Sequence, residues 1–311
     1  MLSRVADSVF WMARYMERTN GMLRLLRTNY ISSQDEVKDF SWQPLLRNYS
    51  DAAPEEILKL GDHSHAVLEH LLLDRQNGSS VLNNITKARE NARAVQDHIT
   101  KEVWQCLNDY YHLIRDPELY RQVKQGDPVT ALDSLLRHGM LYYGTVDITM
   151  ARGEGFNYLN IGKYLERSIL TADMLHIKLT ELNFNVRERV EVPALRYLLY
   201  SLAGYELYLK THRGNFKAEH VIEQIIYNVH FPHSILYCLG GLLRYFQRLE
   251  SDSIPEHYKK LHFLVGRAMN NVRYNGIRPS DSEHLQSFLQ DTRAEILEIA
   301  SAFNKYYFGN T

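Results

Sequence analysis

The chain has 311 residues, enough to bury a full core as one large domain or two modest ones. Its 36 Lys and Arg face 37 Asp and Glu, which excludes the uncompensated basic field of a wholesale nucleic-acid binder and leaves room only for a local basic patch. With 45% apolar and 23% charged residues the composition is globular rather than disordered.

The first stretch, MLSRVADSVFWMARYMERTN, carries charges every few residues where a signal peptide needs an unbroken apolar run. Its spacing predicts a helix over 3–30 with Val5, Val9, Ala13, Met16 and Leu23 as the apolar stripe. Glu17 falls on the flank of that stripe beside Phe10, with Arg14 one turn back on the same side and Arg18 pointing further round. A carboxylate there is costly unless cations or several donors meet it.

Short helices are predicted at 54–60 and 62–75. A long one follows over 80–113, where Val81, Ile85, Ala88, Ala92, Val95, Ile99, Val103 and Cys106 recur in steps of three and four. Within it, KARENARAV sets Arg89 and Arg93 one turn apart beside the apolar stripe with Glu90 facing away, a two-guanidinium fork suited to a carboxylate or phosphate. A solvated face with charge pairs is the competing reading of the same residues.

Helices are next expected at 117–125, 130–151 and 155–181. The segment TMARGEGFNYL breaks between the last two at Gly153 and Gly155, where Arg152, Glu154 and exposed backbone N–H groups can hold an anion. No preceding strand and no GK[ST] accompany it, so a tight helix–helix corner is the favoured reading. The following helix carries GKYLERSI, with Lys163, Tyr164, Glu166 and Arg167. Remaining helices are predicted at 194–210, 217–228, 233–250, 257–275 and 281–305, the last started by Pro279-Ser280-Asp281. The most apolar stretches, ALRYLLYSLAGYELYLK and SILYCLGGLLRYF, are interrupted by Arg196, Glu206 and Arg244 and are too short to cross a bilayer. No segment alternates like a strand. The expected class is therefore all-α, a soluble protein.

Two matches recur at nearly one offset. Tyr15, Glu17 and Arg18 stand 149 positions before Tyr164, Glu166 and Arg167, and Ser80-Val81-Leu82 stands 154 before Ser234-Ile235-Leu236. They predict two duplicated halves, about 1–150 and 151–311, packed about a pseudo-twofold as a single domain over 1–311. A crossed pair of ion pairs, Glu17 with Arg167 and Glu166 with Arg18, would hold the halves in register. The alternative makes Glu17 or Glu166 an acid or base in a cleft; semi-buried Glu–Arg pairs in helical proteins are mostly structural, which favours the first reading.

Cys106 and Cys238 lie far apart with no C-x-x-C pair, arguing against disulfides and for a reducing cytoplasm. His63, His65 and His70, and His230 with His233, lack HExxH spacing. Asp109–His112 and Asp173–His176 are spaced like half of a bundle di-metal site but lack evident Glu partners. No metal and no cofactor is expected. No G-x-S-x-G elbow is present.

Three stretches together, the N-terminal block, ARENAR followed by E-x-W-x-x-LN, and TMARGEGFNYLNIGKYLERS, resemble the bacterial alpha-E domain proteins, an all-helical family. The resemblance implies genetic company with ATP-grasp-type amidoligase homologues and transglutaminase-like peptidase homologues, and a role in making or remodelling peptide or amide conjugates. It places the charged motif positions at Arg4, Arg14, Glu17, Arg18, Arg89, Glu90, Arg93, Glu102, Arg152, Glu154, Glu166 and Arg167. Two departures stand out: Pro232-His233-Ser234 replaces the more typical PRS, and Lys163 occupies the second-copy place of Arg14. The expected function is an auxiliary helical module that binds such a ligase or its peptide-like substrate through a Glu- and Arg-lined groove, without nucleic acid or membrane. An enzyme of the same pathway using Glu17 or Glu166 as general base is the alternative, and a carboxylate-bridged metal protein the third.

Overall fold

The computed structural model describes residues 1–35, 40–184, 186, 192–213, 215–249, 256–279 and 281–309. Among these residues there is no strand, and fifteen α-helices follow one another. The first series is α1 (Ser3–Gln34), α2 (Gln43–Tyr49), α3 (Pro54–Leu60), α4 (Ser64–Leu72), α5 (Val81–Ala94), α6 (Lys101–Ile114), α7 (Pro117–Gln125) and α8 (Pro128–Thr149). The second is α9 (Glu154–Glu181), α10 (Val192–Ser201), α11 (Tyr205–His212), α12 (Ala218–Tyr227), α13 (Ile235–Gln247), α14 (Glu256–Tyr274) and α15 (Ser282–Phe303), which runs into a π-turn over Asn304–Phe308.

Helix starts follow local chemistry. Ser80 caps α5 by accepting from the Asn83 N–H, Thr100 caps α6 from Val103, and Asp281 caps α15 from His284. Pro117 and Pro128 open α7 and α8 behind capping Asp116 and Asp127. Ser280 of the expected start, and residue 250 of the expected end of α13, lie outside the described residues.

Two predicted long helices are each broken. The 80–113 helix is α5 and α6 with a 3-10 turn at Gln96–His98, because Val95 leaves the helical region (φ −131°, ψ 29°) and Thr100 restarts the chain with its own cap. Val95, Ile99 and Val103 all stay buried across the break, so the apolar spacing ran on through it. The 194–210 helix divides at Ala203, which adopts φ +54°. α2 was not expected; its seven residues are too short to show a period.

The chain forms two compact units: Met1–Arg14 with Arg152–Thr311, and Tyr15–Ala151. The division differs from halves at 150/151 in one respect: the first fourteen residues join the second series. Phe10 is the reason. Its ring meets Phe303 at 5.6 Å and Phe308 at 5.0 Å, and a Cβ built on Gly162 of α9 would stand 2.4 Å from the Phe10 carbonyl oxygen.

In this first unit α9 is buried around almost its whole circumference, as expected of a helix with apolar residues on every side. α13 lies along it, α15 packs on it, and α14 packs on both α13 and α15. In the other unit α5 packs on α6, α6 on α8, and α7 on α4 and α8. There α1 closes on α8, where a Cβ at Gly139 would meet Asn20 Oδ1 at 2.4 Å and Arg27 Nε donates to Asp133 at 2.5 Å.

The starts of the helices run in step. α4, α5, α6 and α8 begin at 64, 81, 101 and 128, and α12, α13, α14 and α15 at 218, 235, 256 and 282, offsets of 154, 154, 155 and 154. Ser80 and Ser234 also share one cap geometry: each accepts from the N–H three residues on and donates its own N–H to the carbonyl three residues back at 2.9 Å.

Candidate functional site

The two ER glutamates are both 2% exposed, and each accepts a hydrogen bond inside its own unit. In the first unit Arg14 Nε donates to Glu166 Oε2 at 2.7 Å, with both side chains almost fully buried. The Arg14 guanidinium lies 4.3 Å from the centre of the Trp11 ring and 5.5 Å from that of Phe10. The close approach of α1 and α9 at Gly162 brings Phe10, and with it the end of this turn, against α9. A buried carboxylate is tolerated on such terms: a charge-assisted hydrogen bond within a dry, tightly packed contact.

In the other unit the Tyr143 hydroxyl donates to Glu17 Oε2. Around it, α1, α6 and α8 bury further polar groups. The hydroxyls of Thr19, Tyr110 and Tyr142 and the Asn20 amide make no hydrogen bond among the described residues. Burial pushes the Tyr142 hydroxyl well above the ordinary phenol range, with the charges of Cys106 and Glu17 adding to it. Burial likewise pushes the Cys106 thiol up to about 11, partly offset by a hydrogen bond with Thr145. Both cysteines are buried, and Cys106 is a free thiol. Native protein at pH 8 is therefore expected to leave Cys106 unlabelled by a thiol reagent over hours, with labelling appearing only in urea; prompt labelling without urea would contradict this placement.

The other positions singled out in the sequence divide into paired and exposed groups. Arg89 Nε donates to Asn108 Oδ1 at 2.7 Å and its guanidinium lies over Tyr111 at 4.7 Å. Glu90 lies off the apolar stripe, half-exposed, and pairs with Arg89 at 3.0 Å and Arg93 at 2.7 Å. The α5 fork thus holds a carboxylate of its own helix, because positions one and three residues from Glu90 both reach it with long, flexible stems. Arg152 is exposed over the Phe156 ring at 4.1 Å, Glu154 lies 2.5 Å from the Met1 amino nitrogen, and Arg4 and Glu102 are exposed. Arg18 lies 5.8 Å from the Tyr15 ring. Arg167 lies 5.8 Å from the Tyr164 ring and donates to the Pro232 carbonyl at 3.3 Å. Its neighbour one turn on, Thr171, donates to the His233 carbonyl at 3.0 Å, so the FPHS loop is tied to α9 through its backbone.

Sequence reasoning missed Tyr143 and Trp11. Nothing in the spacing of either marks it, since their roles arise only when α8 meets α1 and when Arg14 turns toward α9.

Among the described residues no three His, Cys, Asp or Glu side chains come together in a group that could hold a metal ion. His70 is taken by Ser50 and Asp74, and His65 by the Val123 carbonyl. Burial holds the Asp173 carboxyl above the usual range even though Arg293 pairs with it at 2.5 Å. No described helix is long and apolar enough to cross a membrane.

The Alpha-E family, described as a predicted alpha-helical domain with a conserved ER motif, matches residues 1–308. The chain belongs to the Alpha-E family. Its two ER helices, α1 and α9, carry the glutamates described above, and the match extends through α10–α15 to the π-turn. No curated protein and no solved structure matches the chain.

Proposed function

We propose that this Alpha-E chain is an auxiliary, non-catalytic helical module in an amide-forming pathway, working with an ATP-grasp-type amidoligase homologue and a transglutaminase-like peptidase homologue in the cytoplasm. The observation that carries this reading is the condition of the ER glutamates. Glu166 is locked in a 2.7 Å pair with Arg14, and Glu17 accepts from Tyr143, both with their side chains buried. Such carboxylates act as fasteners between helices; a general base needs an open approach to the proton it removes. Binding then falls to exposed motif cations such as Arg4 and Arg152.

The in-step helix starts and the shared Ser80 and Ser234 caps support an origin by internal duplication. The copies have since diverged: α7 has no counterpart among the described residues between α14 and α15, and Lys163 stands in the place of Arg14.

Affinity-tagged chain expressed in its own cells is expected to retain the ATP-grasp homologue. Glu17→Gln is expected to lower the melting temperature and to leave capture intact at temperatures where it stays folded. Folded bait that recovers no ligase would overturn the module reading. Loss of an amide-forming or amide-cleaving turnover in Glu17→Gln at unchanged melting temperature would establish the enzyme reading instead.

A further inference from the structure

The α5 fork and the corresponding stretch of α13 have opposite electrostatics. At the offset of 154 that separates Ser80 from Ser234, Glu90 is followed by Arg244. The carboxylate that closes the α5 fork is thus exchanged for a cation on α13. Arg244 and Arg248 lie one turn apart, both exposed, and neither makes an ion pair among the described residues. Their guanidiniums stand 5.2 and 5.0 Å from the centre of the Tyr245 ring. That ring is held in place from beneath, stacked on Tyr164 at 5.9 Å and 21° and met edge-on by Phe156 at 6.0 Å. One turn before Arg244, Gly240 has open space where a Cβ would be, so a chain can lie directly against the helix backbone there.

We infer that this face of α13, Gly240, Arg244, Tyr245 and Arg248, is a binding site for an acidic peptide chain in extended form. Side chains four apart on a helix sit about 6 Å apart. An extended peptide presents alternate side chains on one face about 7 Å apart, so two glutamates spaced i, i+2 meet both guanidiniums at once. Arg is the residue suited to such contacts, because its planar fork matches a carboxylate. The Tyr245 ring is occupied by Tyr164 and by the two guanidiniums, which leaves no bare aromatic face for a nucleobase, and the chain as a whole lacks the basic excess that phosphate tracking needs. The choice of a peptide ligand rests on the proposed pathway role; the site itself does not involve the ligase.

The test uses purified full-length chain and fluorescein-labelled hexaglutamate in an anisotropy titration at low salt. Hexaglutamate is expected to bind, hexaglutamine not to bind, and a hexathymidylate oligonucleotide to bind more weakly than hexaglutamate. R244E/R248E is expected to weaken hexaglutamate at least about ten-fold, the scale of losing charge-assisted contacts. Gly240→Leu is expected to weaken it several-fold with both cations in place, and Arg137→Gln on the exposed face of α8 to change nothing. Ligase capture by R244E/R248E is expected to persist. No binding of hexaglutamate by the wild type, an equal effect of Arg137→Gln, or tighter binding of the oligonucleotide would overturn the site. Loss of ligase capture in R244E/R248E, with no peptide binding by the wild type, would assign the face to the ligase and not to a free peptide. Peptide binding with no ligase captured by any variant would keep the site and remove the pathway reading.

Discussion

Arg14→Ala is expected to destabilise the protein by about 3–5 kcal/mol in equilibrium urea unfolding, the range for removing one partner of a buried ion pair. The reason is the state in which Glu166 is left. Its carboxylate is 2% exposed on a helix buried on nearly every side, and the short methyl of alanine offers neither charge nor donor. The guanidinium also fills space against Trp11 and Phe10, so its removal opens a cavity as well. The double variant Arg14→Met with Glu166→Met separates the two effects. Replacing both charges by apolar groups of similar volume removes the buried carboxylate together with its guanidinium, and stability is expected to return to within about 1–2 kcal/mol of wild type. If Arg14→Ala costs under about 1 kcal/mol, the pair is not a fastener and the buried placement of the first ER turn is wrong.

Gly162→Ala is expected to cost about 1–3 kcal/mol, the scale of overpacking a tight contact. A methyl there would sit 2.4 Å from the Phe10 carbonyl oxygen. That oxygen belongs to the backbone of α1 and cannot swing away as a side-chain tip does. Gly144→Ala is the contrasting case. Gly144 lies inside α8, more than a turn from its end, with nothing within 4 Å of its added Cβ, and the same change there should stabilise by about 0.5–1 kcal/mol through helix propensity and the entropy of the unfolded chain. Identical substitutions in two helices should therefore shift the urea midpoint in opposite directions. The same sign at both positions would refute the close packing of α1 on α9.

The buried glutamates show how much was legible beforehand. Placing Glu17 and Glu166 beside an apolar stripe follows from period alone, and so does the need for a partner. The partners do not follow. Arg14 stands three residues from Glu17 and was read as its neighbour, yet it donates to a carboxylate 152 positions later; Tyr143 carries no mark of its role until α8 reaches α1. Whether Arg89 and Arg93 pair within their own helix stayed open for a related reason: a helical wheel fixes where a side chain leaves the backbone, not where four rotatable bonds carry its charged end. The α13 face was the reverse case. RYFQR is visible in the sequence, but there Arg244 marks only an interruption in an apolar run, because the meaning of the stretch depends on Tyr164 standing beneath Tyr245.

By itself the amino-acid sequence determined that the described residues form helices and no strand, where most helices start, and which residues of α1, α5 and α6 turn inward. Those properties depend on residues within one or two turns of each other, whose spacing and capping chemistry act before any long-range contact forms. Only the tertiary structure decided that the first fourteen residues join the second series, which group answers each glutamate, and which cation pairs are already neutralised. These depend on distances between residues far apart in the chain, set by how glycine contacts and large rings allow helices to approach.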